Sequence, residues 1–249
     1  MSDGFFVADL PFDLSLGDQL DLSGKEAHHA VTVRRLRMGE AVTLTDGLGR
    51  GAVGPATAIS PERLTIRVEQ LLTAEPTRPA VTVIQALPKA ERADQAIDWM
   101  TEVGVDAIVP WQAARSIAKW VGPKADKGRD RWAMLAKEAS KQSRRLLFPR
   151  VEPCASTATV AELIRATPLV LMMDEQASLP LTDVDLTQQE QCLIIIGPEG
   201  GLTDGERAVF LGYGAVGVSL GPTVLRTVTA GAVAVTQVRA IRATQLRKR

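Results

Sequence analysis

Two segments of this chain combine residue types and spacings that suit the binding of a small molecule. In residues 192–203 the apolar run C-L-I-I-I passes directly into G-P-E-G-G, and in residues 215–230 another apolar run passes into Gly-Pro, with Arg226 among threonines just beyond. Glycine permits positive φ and close backbone approach, and proline sets its own φ. Ligands of α/β proteins bind beyond the carboxyl ends of strands. Either loop alone is better explained by an ordinary turn, but the pair with Arg226 favours one pocket lined by both.

The residues around these loops predict the elements that hold them. The run before the first loop is short, apolar and rich in β-branched residues, which is typical of a strand buried on both faces. After that loop Thr203 is expected to be the N-cap of a helix, and Glu206 three residues later completes a capping box. The second loop has the same order, with a long helix predicted over residues 223–244.

From residue 81 onward predicted strands alternate with predicted helices. Strands are predicted over residues 81–87, 107–109, 169–173, 192–196 and 215–220, and helices over residues 90–103, 130–147 and 223–244. This alternation is typical of an α/β fold with a largely parallel sheet. Residues 212–217 match G-x-G-x-x-G, but they follow a helix and precede a strand, the reverse of the order in dinucleotide-binding sites. We therefore predict a helix end and a turn there.

The first part of the chain has a different, β-rich pattern. Strands are predicted over residues 5–7, 19–22, 41–45 and 64–68, with one helix over residues 25–36. This pattern indicates a small β-barrel or sandwich. Residues 73–79 contain two prolines and no periodicity, so we expect a linker there and two domains, 1–73 and 74–249.

Composition excludes several classes of protein. The 249 residues have a formal net charge of zero, 45% hydrophobic and 23% charged residues, as in an ordinary soluble protein. The sequence offers no signal peptide and no apolar run long enough for a membrane helix, so we expect a cytoplasmic protein. Two distant cysteines and two adjacent histidines make neither a disulfide framework nor a plausible metal site.

Positive charge is concentrated in local clusters although the net charge is zero. The residues that we assign to the binding of a polyanion are Arg34, Arg35, Arg37, Lys89, Arg92, Arg115, Lys141, Gln142, Arg144 and Arg145. Such clusters are also explained by a solvated helix face or by cations at a helix C-terminus. Because both predicted domains contribute, we favour an extended polyanion that lies across them. RNA fits better than duplex DNA, since no helix has the pattern of a major-groove reader.

Several motifs resemble one family along nearly the whole chain. They include G-P-E-G-G-L-T-x-x-E (197–206), L-G-P-T-V-L-R-T-x-T-A (220–230), V-R-R-L-R-M-G-E (33–40), L-P-K-x-E-R (87–92) and K-Q-S-R-R (141–145). In this order they resemble the RsmE family, the 16S ribosomal RNA uridine-N3 methyltransferases of the SPOUT superfamily. The chain departs from the family pattern at Val228, Trp99 and Gly4.

The resemblance implies a fold, a cofactor and partners. It implies a PUA-like RNA-binding β-barrel followed by a SPOUT α/β domain with a parallel sheet and a C-terminal trefoil knot. It also implies S-adenosylmethionine as cofactor, a homodimer, and 16S ribosomal RNA or the small ribosomal subunit as partner. The cofactor contacts are expected from three loops, at residues 171–174, 197–201 and 220–226. The cofactor-binding residues carried over are Leu171, Met172, Gly197, Pro198, Glu199, Gly200, Gly201, Leu220, Gly221, Leu225 and Arg226.

The expected reaction is methyl transfer to N3 of one uridine in the decoding region of the small subunit. Arg226 is the candidate for stabilising the uridine anion. Glu199 is either a base or positioning group, or a structural residue that accepts hydrogen bonds from loop N–H groups. The alternative function is a non-catalytic RNA-binding or ribosome-assembly factor whose glycine loops are purely structural.

Overall fold

The computed structural model describes residues 4–248. The chain divides into two compact units. The first comprises the described residues up to Glu75 together with Ser140–Phe148, and the second comprises Pro76–Ala139 and the residues from Pro149 onward. The predicted domain ranges of 1–73 and 74–249 stay a prediction, and nothing in the sequence pattern connected residues 140–148 with the first unit.

The first unit is built on a six-stranded sheet. Its strands are β1 (Gly4–Val7), β2 (Gln19–Ser23), β3 (Ala41–Thr45), β4 (Arg50–Ser60), β5 (Arg63–Arg67) and β6 (Gln70–Thr73). They lie in the order β1-β3-β4-β5-β2, and β6 pairs with β4. The pair β1–β3 is parallel and the other pairs are antiparallel. The predicted β-rich character of this part of the chain is confirmed.

Alternation along the strands places the core of the first unit. In β2, Leu20 and Leu22 are buried between exposed neighbours, and they pack with Leu44, Leu64 and other apolar residues of the sheet. This one-sided burial is what period-two alternation predicts for an antiparallel sheet.

The predicted helix over residues 25–36 is wrong in its form. The α-helix α1 (Gly24–His28) passes into a π-helix over His29–Val33, where Arg34 N–H donates to the carbonyl of His29 at 2.9 Å. The chain then leaves helical geometry at Arg35, whose φ is +53°. The β-branched residues Val31, Thr32 and Val33 favour the α-helix less than unbranched residues do, which is consistent with this early end.

The long strand β4 was not predicted, because its glycines and proline are residues typical of turns. It contains Gly51, Gly54 and Pro55 in its interior. Gly54 pairs with Val42 of β3, and a Cβ added to it would lie 1.7 Å from the carbonyl oxygen of Arg67. The glycine is therefore required by the close approach of two strands rather than by a turn.

The second unit is a parallel sheet with helices on both faces. Its strands are β7 (Ala80–Ala86), β8 (Ala107–Trp111), β9 (Arg150–Val151), β10 (Val170–Met173), β11 (Gln191–Ile196) and β12 (Val216–Val218). Its helices are α2 (Ala90–Glu102), α3 (Pro123–Gln142), α4 (Thr157–Ala166), α5 (Asp204–Gly212) and α6 (Thr227–Arg247), with a 3₁₀ turn at Leu181–Asp183. The order is β12-β10-β11-β7-β8-β9 and every pair is parallel. The predicted α/β class is confirmed, whereas the trefoil knot stays a prediction.

Burial on both faces of this sheet follows from the apolar runs of its strands. One core cluster joins β7, β8 and β11 to α2 and α6, with Ile97 and Val235 fully buried. The other joins the sheet to α4 and α5, with Val160 and Phe210 fully buried. Cys192 is a core residue as predicted, and burial raises the pKa of its thiol to about 12.

The last helix is fastened to the sheet by one arginine. The guanidinium of Arg239 donates to the carbonyls of Pro79 at 2.6 Å and Gly104 at 2.9 Å, and to the carboxylate of Asp106 at 2.7 Å. Asp106 also accepts from the N–H of Val81, the second residue of β7, at 2.7 Å. Arg239 of α6 thus forms hydrogen bonds with two carbonyl groups and one carboxylate near the first residues of β7 and β8. These bonds hold α6 against that end of the sheet.

Several elements of the second unit have other bounds than predicted. The helix predicted over residues 130–147 is α3, which begins at Pro123 and ends at Gln142. Proline suits the first turn of a helix because it has no N–H to leave unpaired. Arg144 has φ +55° and lies beyond the helix, so Arg144 and Arg145 do not share a helical face with Lys141. The final helix begins at Thr227 rather than at residue 223, and the strand before it shortens to β12.

Within residues 4–248 no helix is both long and apolar enough to span a bilayer. Among the side chains that the structure describes, no group of His, Cys, Asp or Glu is arranged to hold a metal ion.

The contact at Gly54 generates a prediction about stability. We expect Gly54→Ala to lower the stability of the first unit by about 3 kcal/mol or more, because the added methyl group overlaps the Arg67 carbonyl and the strands must separate. Thermal unfolding followed by circular dichroism measures this. Gly205→Ala is the control, since an added Cβ meets nothing within 4 Å there and alanine favours the helix α5. A Gly54→Ala protein that melts like its parent contradicts the argument.

Candidate functional site

The carboxyl ends of β10, β11 and β12 form one edge of the parallel sheet, and a cavity lies at that edge. β10 lies between β11 and β12 and pairs with both in parallel, so the loops that follow the three strands leave the sheet on the same side. The cavity has a volume of about 590 Å³, within the range that holds nucleoside-sized ligands. It is lined by residues 173–176, 196–202 and 219–227, and by Arg92, Arg115, Arg207 and Ala230.

The loop after β11 is held by the predicted capping box. Thr203 Oγ1 accepts from the N–H of Glu206 at 3.1 Å, and Glu206 Oε2 accepts from the N–H of Thr203 at 2.9 Å. Glu206 is 5% exposed, and its other oxygen accepts from the N–H of Ala114 at 2.8 Å. One buried carboxylate therefore joins the start of α5 to the loop that follows β8.

Arg115 holds the glycine-rich part of the same loop. Its Nη1 donates to the carbonyl oxygens of Gly200 at 2.9 Å and Leu202 at 3.2 Å. A Cβ added to Gly200 would lie 3.3 Å from the Cβ of Arg115, closer than most such contacts. The arginine thus fixes the loop, and the close approach explains why residue 200 is small.

The loop after β12 is joined to the loop after β11. Thr227 Oγ1 donates to the carbonyl of Gly197 at 2.9 Å, and Gln237 Nε2 donates to the carbonyl of Leu220 at 3.0 Å. Gly221 has φ +142°, a conformation that side chains rarely adopt. The two Gly-Pro loops predicted to share a pocket do line one cavity.

The loop after β10 adds a buried ion pair that the sequence did not suggest. Asp174 forms a salt bridge with Arg207 of α5, and its side chain is only 8% exposed. Its N–H donates to the carbonyl of Val218 at 3.0 Å, and its Oδ1 accepts from the N–H of Gln176 at 3.0 Å. Asp174 was expected in the cofactor loop from the family resemblance, but no local pattern marked Arg207, which belongs to an ordinary amphipathic helix.

Most of the predicted cofactor-binding residues meet in this cavity. Those that line it are Gly197, Pro198, Glu199, Gly200, Gly201, Leu220, Gly221, Leu225 and Arg226. Leu171 and Met172 do not line it, because both are fully buried within β10. The roles assigned to these residues stay predictions.

The two candidate catalytic residues differ in their surroundings. Arg226 is the N-cap residue of α6, and its guanidinium has no hydrogen-bond or ion-pair partner among the described residues. Glu199 is exposed, and its Oε1 accepts from the N–H of Lys89 at 3.2 Å. That contact is of the kind expected if Glu199 has a structural role.

The residues assigned to RNA binding fall into three groups. Arg92 and Arg115 line the cavity just described. Arg34, Lys141, Gln142 and Arg144 line a smaller cavity in the first unit, together with Phe5, Phe6 and His29. Arg35, Arg37 and Lys89 are exposed and Arg145 is half-buried, outside both cavities.

Family models match both units of the chain. The model described as RNA methyltransferase domain matches residues 75–239, and the model described as RNA methyltransferase PUA domain matches residues 22–69. Among curated relatives, Ribosomal RNA small subunit methyltransferase E of Mycobacterium tuberculosis is 42% identical over 234 residues, 92% of this chain and 88% of the relative. The protein of that name in Bacillus subtilis is 31% identical over 217 residues, 84% of this chain and 85% of the relative.

Solved structures match the chain over nearly its whole length. A methyltransferase of Legionella pneumophila in complex with the bound cofactor SAM has a TM-score of 0.81 at 27% identity, covering 95% of this chain and 96% of that one. Ribosomal RNA small subunit methyltransferase E of Neisseria gonorrhoeae, bound to S-adenosyl methionine, has a TM-score of 0.81 at 29% identity, covering 98% and 97%.

The parallel sheet with its strand-end cavity and the two family models define the class of this protein as an RNA methyltransferase with a PUA domain. Within that class, the chain belongs to the family of Ribosomal RNA small subunit methyltransferase E. The resemblance recognised from the motifs is thereby confirmed.

The buried carboxylate of Glu206 generates a prediction. We expect Glu206→Gln to lower the free energy of unfolding by about 2 kcal/mol, because an amide NH₂ must then face one of the N–H groups that the carboxylate oxygens now accept from. The shift of the urea midpoint at an unchanged m-value measures this. Thr203→Ser keeps the capping hydroxyl and is the matched control. Equal midpoints for Glu206→Gln and its parent contradict the role of the carboxylate.

Proposed function

We propose that this protein transfers the methyl group of S-adenosylmethionine to N3 of one uridine in the decoding region of 16S ribosomal RNA. The observation on which the proposal rests is the cavity lined by three strand-end loops, two of them Gly-Pro loops joined through Thr227 and Gly197. Relatives that share this fold are named as small-subunit ribosomal RNA methyltransferases, and the solved Neisseria gonorrhoeae relative binds S-adenosyl methionine.

The residues of the cavity fit this cofactor. Gly201 and Gly221 border open space, since a Cβ added to either meets nothing within 4 Å, so their backbone can be approached closely. The main-chain groups of the 197–201 and 220–225 loops suit an adenosine, and the Asp174–Arg207 pair supplies polar side chains for the charged end of the molecule. When bound, the cofactor supplies a methyl group that is already strongly electrophilic.

The chain must then orient the uridine and deal with the N3 proton. Alignment of the acceptor nitrogen with the methyl carbon is a matter of positioning, which is worth several orders of magnitude in rate. The guanidinium of Arg226 is free of protein partners within the described residues and lines the cavity, so it is suited to stabilise the uridine anion that forms when N3 loses its proton.

Glu199 has two possible uses in this scheme. As an exposed carboxylate on the cavity wall it can accept the N3 proton. Alternatively, its hydrogen bond with the N–H of Lys89 holds the loop after β7 against the glycine-rich loop. Substitution by glutamine separates these roles, because the amide oxygen still accepts the hydrogen bond but cannot take a proton.

RNA is the macromolecular partner in this proposal. The base must leave its stack to reach a cavity at the edge of a sheet, and basic residues outside the cofactor loops then hold the opened strand. The substrate is free 16S ribosomal RNA or the small ribosomal subunit, which locates the reaction in the cytoplasm, and the protein acts as a homodimer.

The first test concerns the cofactor. We expect the protein to bind S-adenosylmethionine with a Kd of about 1 μM, near −8 kcal/mol, and not to bind ATP or NAD in calorimetric titration. Gly200→Val should abolish this binding, because the larger side chain collides with Arg115 and displaces the loop. Gly205→Ala, at a position with open space, should leave the affinity unchanged. If the Gly200→Val protein binds S-adenosylmethionine as tightly as its parent, the cofactor does not bind in this cavity.

The second test concerns Arg226. We expect Arg226→Ala to lower the rate of methyl transfer by about 10²- to 10³-fold while RNA affinity is kept, as for the loss of one donor to a developing anion. Tritium transfer to 16S ribosomal RNA, followed by mass spectrometry of the nucleosides, measures the rate and identifies 3-methyluridine. Arg165→Ala, on an exposed part of α4, is the charge-matched control.

Two outcomes of that test would refute parts of the proposal. Methylated nucleoside other than 3-methyluridine would refute the site of methylation on the base. Loss of RNA binding in Arg226→Ala, with no transfer by the parent protein, would favour the non-catalytic RNA-binding or assembly factor.

A further inference from the structure

The smaller cavity lies within the first unit, apart from the residues of the cofactor site. It has a volume of about 170 Å³ and is lined by Phe5, Phe6, His29, Arg34, Lys141, Gln142 and Arg144. This volume is below the range for a whole drug-sized ligand, so the cavity suits a single small group. Three segments distant in sequence build it: β1, the π-helix with its C-cap, and residues 141–144.

The charges around this cavity do not cancel. Lys141 lies at its wall with a side chain only 6% exposed, and its Nζ donates to Glu26 Oε1 at 2.8 Å, so this pair is neutral as a unit. The guanidiniums of Arg34 and Arg144 have no ion-pair or hydrogen-bond partner among the side chains and backbone groups that the structure describes. The lining residues include no acidic side chain. Two positive charges therefore remain at the cavity.

The backbone holds both arginines in defined positions. Arg34 is the C-cap of the π-helix, where its N–H donates to the carbonyl of His29 at 2.9 Å. Arg144 has φ +55°, a conformation that costs about 1–2 kcal/mol for a residue with a side chain. The ring of His29 is fixed edge-on against Phe6 with 5.8 Å between centroids. These contacts fix the backbone at both arginines and the ring of His29, whereas the two arginine side chains themselves are exposed.

The buried pair of Lys141 and Glu26 supports this arrangement. Glu26 Oε2 also accepts from the N–H of Val7 at 3.4 Å, so the pair joins α1, β1 and the end of α3. Buried ion pairs contribute little net stability because both charges are desolvated, so their use lies in fixing one geometry. Here the pair fixes the segment that carries Arg144 next to the one that carries Arg34.

We propose that this cavity is an anion subsite that binds one internal phosphate group of an RNA strand. A guanidinium carries N–H donors in a fork that phosphate oxygens accept from, and two of them line the cavity together with the Gln142 amide and the His29 ring. The proposal deepens the proposed function, since it rests on RNA being the substrate. It assigns to Arg34 and Arg144 a phosphate contact that sets the position of the strand without reading its sequence.

Binding of an oligouridylate of about twelve nucleotides, measured by fluorescence anisotropy over about 50–200 mM salt, tests this assignment. The test protein is the double variant Arg34→Ala/Arg144→Asn, in which asparagine tolerates positive φ and so removes the charge without backbone strain. We expect its affinity to fall about tenfold. The slope of log K against log salt should also become shallower by about 0.7, as for one phosphate contact.

The control is Arg67→Ala, which removes an exposed, paired cation of the same unit and should change neither quantity. A double variant that keeps the parental circular dichroism spectrum and binds the oligonucleotide with parental affinity and slope would overturn the assignment.

The nature of the ligand is tested with modified oligonucleotides. An oligouridylate with uncharged methylphosphonate linkages should bind parent and double variant equally weakly, whereas 5′-phosphate and 5′-hydroxyl forms should bind the parent alike. If the parent discriminates in favour of the 5′-phosphate, the subsite takes a terminal phosphate monoester and the proposal is wrong. Retention of the affinity difference with methylphosphonate linkages would show that a base is bound instead, which also overturns it.

The test of the phosphate subsite is independent of the cofactor site. S-adenosylmethionine titration of the double variant should give the parental affinity, because no residue of the second unit is changed. Failure of the parent to bind S-adenosylmethionine or to methylate RNA would refute the proposed function. Unchanged RNA binding by the double variant would refute only the phosphate subsite.

Discussion

The parallel register of β10, β11 and β12 is the constraint on which the candidate site depends. Parallel pairing makes the three strands end at the same edge, so three loops that are far apart in the chain line one cavity. The adjacent strands are buried on both faces, and the buried side chains leave little freedom for the register to slip. The hydrogen bond from Thr227 to Gly197 joins two of these loops directly. The positions of the two loops relative to each other therefore follow from the strands that carry them.

The two cavities share one arrangement of charges, in which paired charges hold the structure and unpaired guanidiniums line the cavity. Each unit contains a buried charge that is paired with an opposite charge: Asp174 with Arg207 in one unit and Lys141 with Glu26 in the other. These pairs and the carboxylate of Glu206 position backbone and loops. The guanidiniums without protein partners in the described chain, such as Arg226 and Arg34, line the cavities. A guanidinium without a protein partner has all its N–H donors free for an anionic ligand.

Local sequence patterns predicted many of the strands and helices of this protein. Where they failed, the structure shows the physical reason. The apolar run before Gly197 and the Thr203–Glu206 box determine structure over a few residues, and both were predicted. Strand β4 was missed because its glycines suggest a turn, whereas Gly54 is required by the close approach of Arg67, which lies on another strand. The role of Arg207 in the site was not predicted either, because its partner Asp174 is distant in sequence and lies in the loop after β10. Motif resemblance recovered the family, which no local pattern could have supplied.

Residues 140–148 belong to the first unit although the chain on either side of them belongs to the second. They contribute core and edge contacts, for example an N–H of Gly49 that donates to Leu146 and an N–H of Phe148 that donates to Gly47, both at 2.9 Å. A chain that leaves the ribosome from its N-terminus therefore cannot complete its first unit when residue 75 emerges. The Pro76–Ala139 part of the second unit must be synthesised before the missing segment arrives. The unit nearest the N-terminus is consequently finished late, and folding during translation does not follow the order of the sequence.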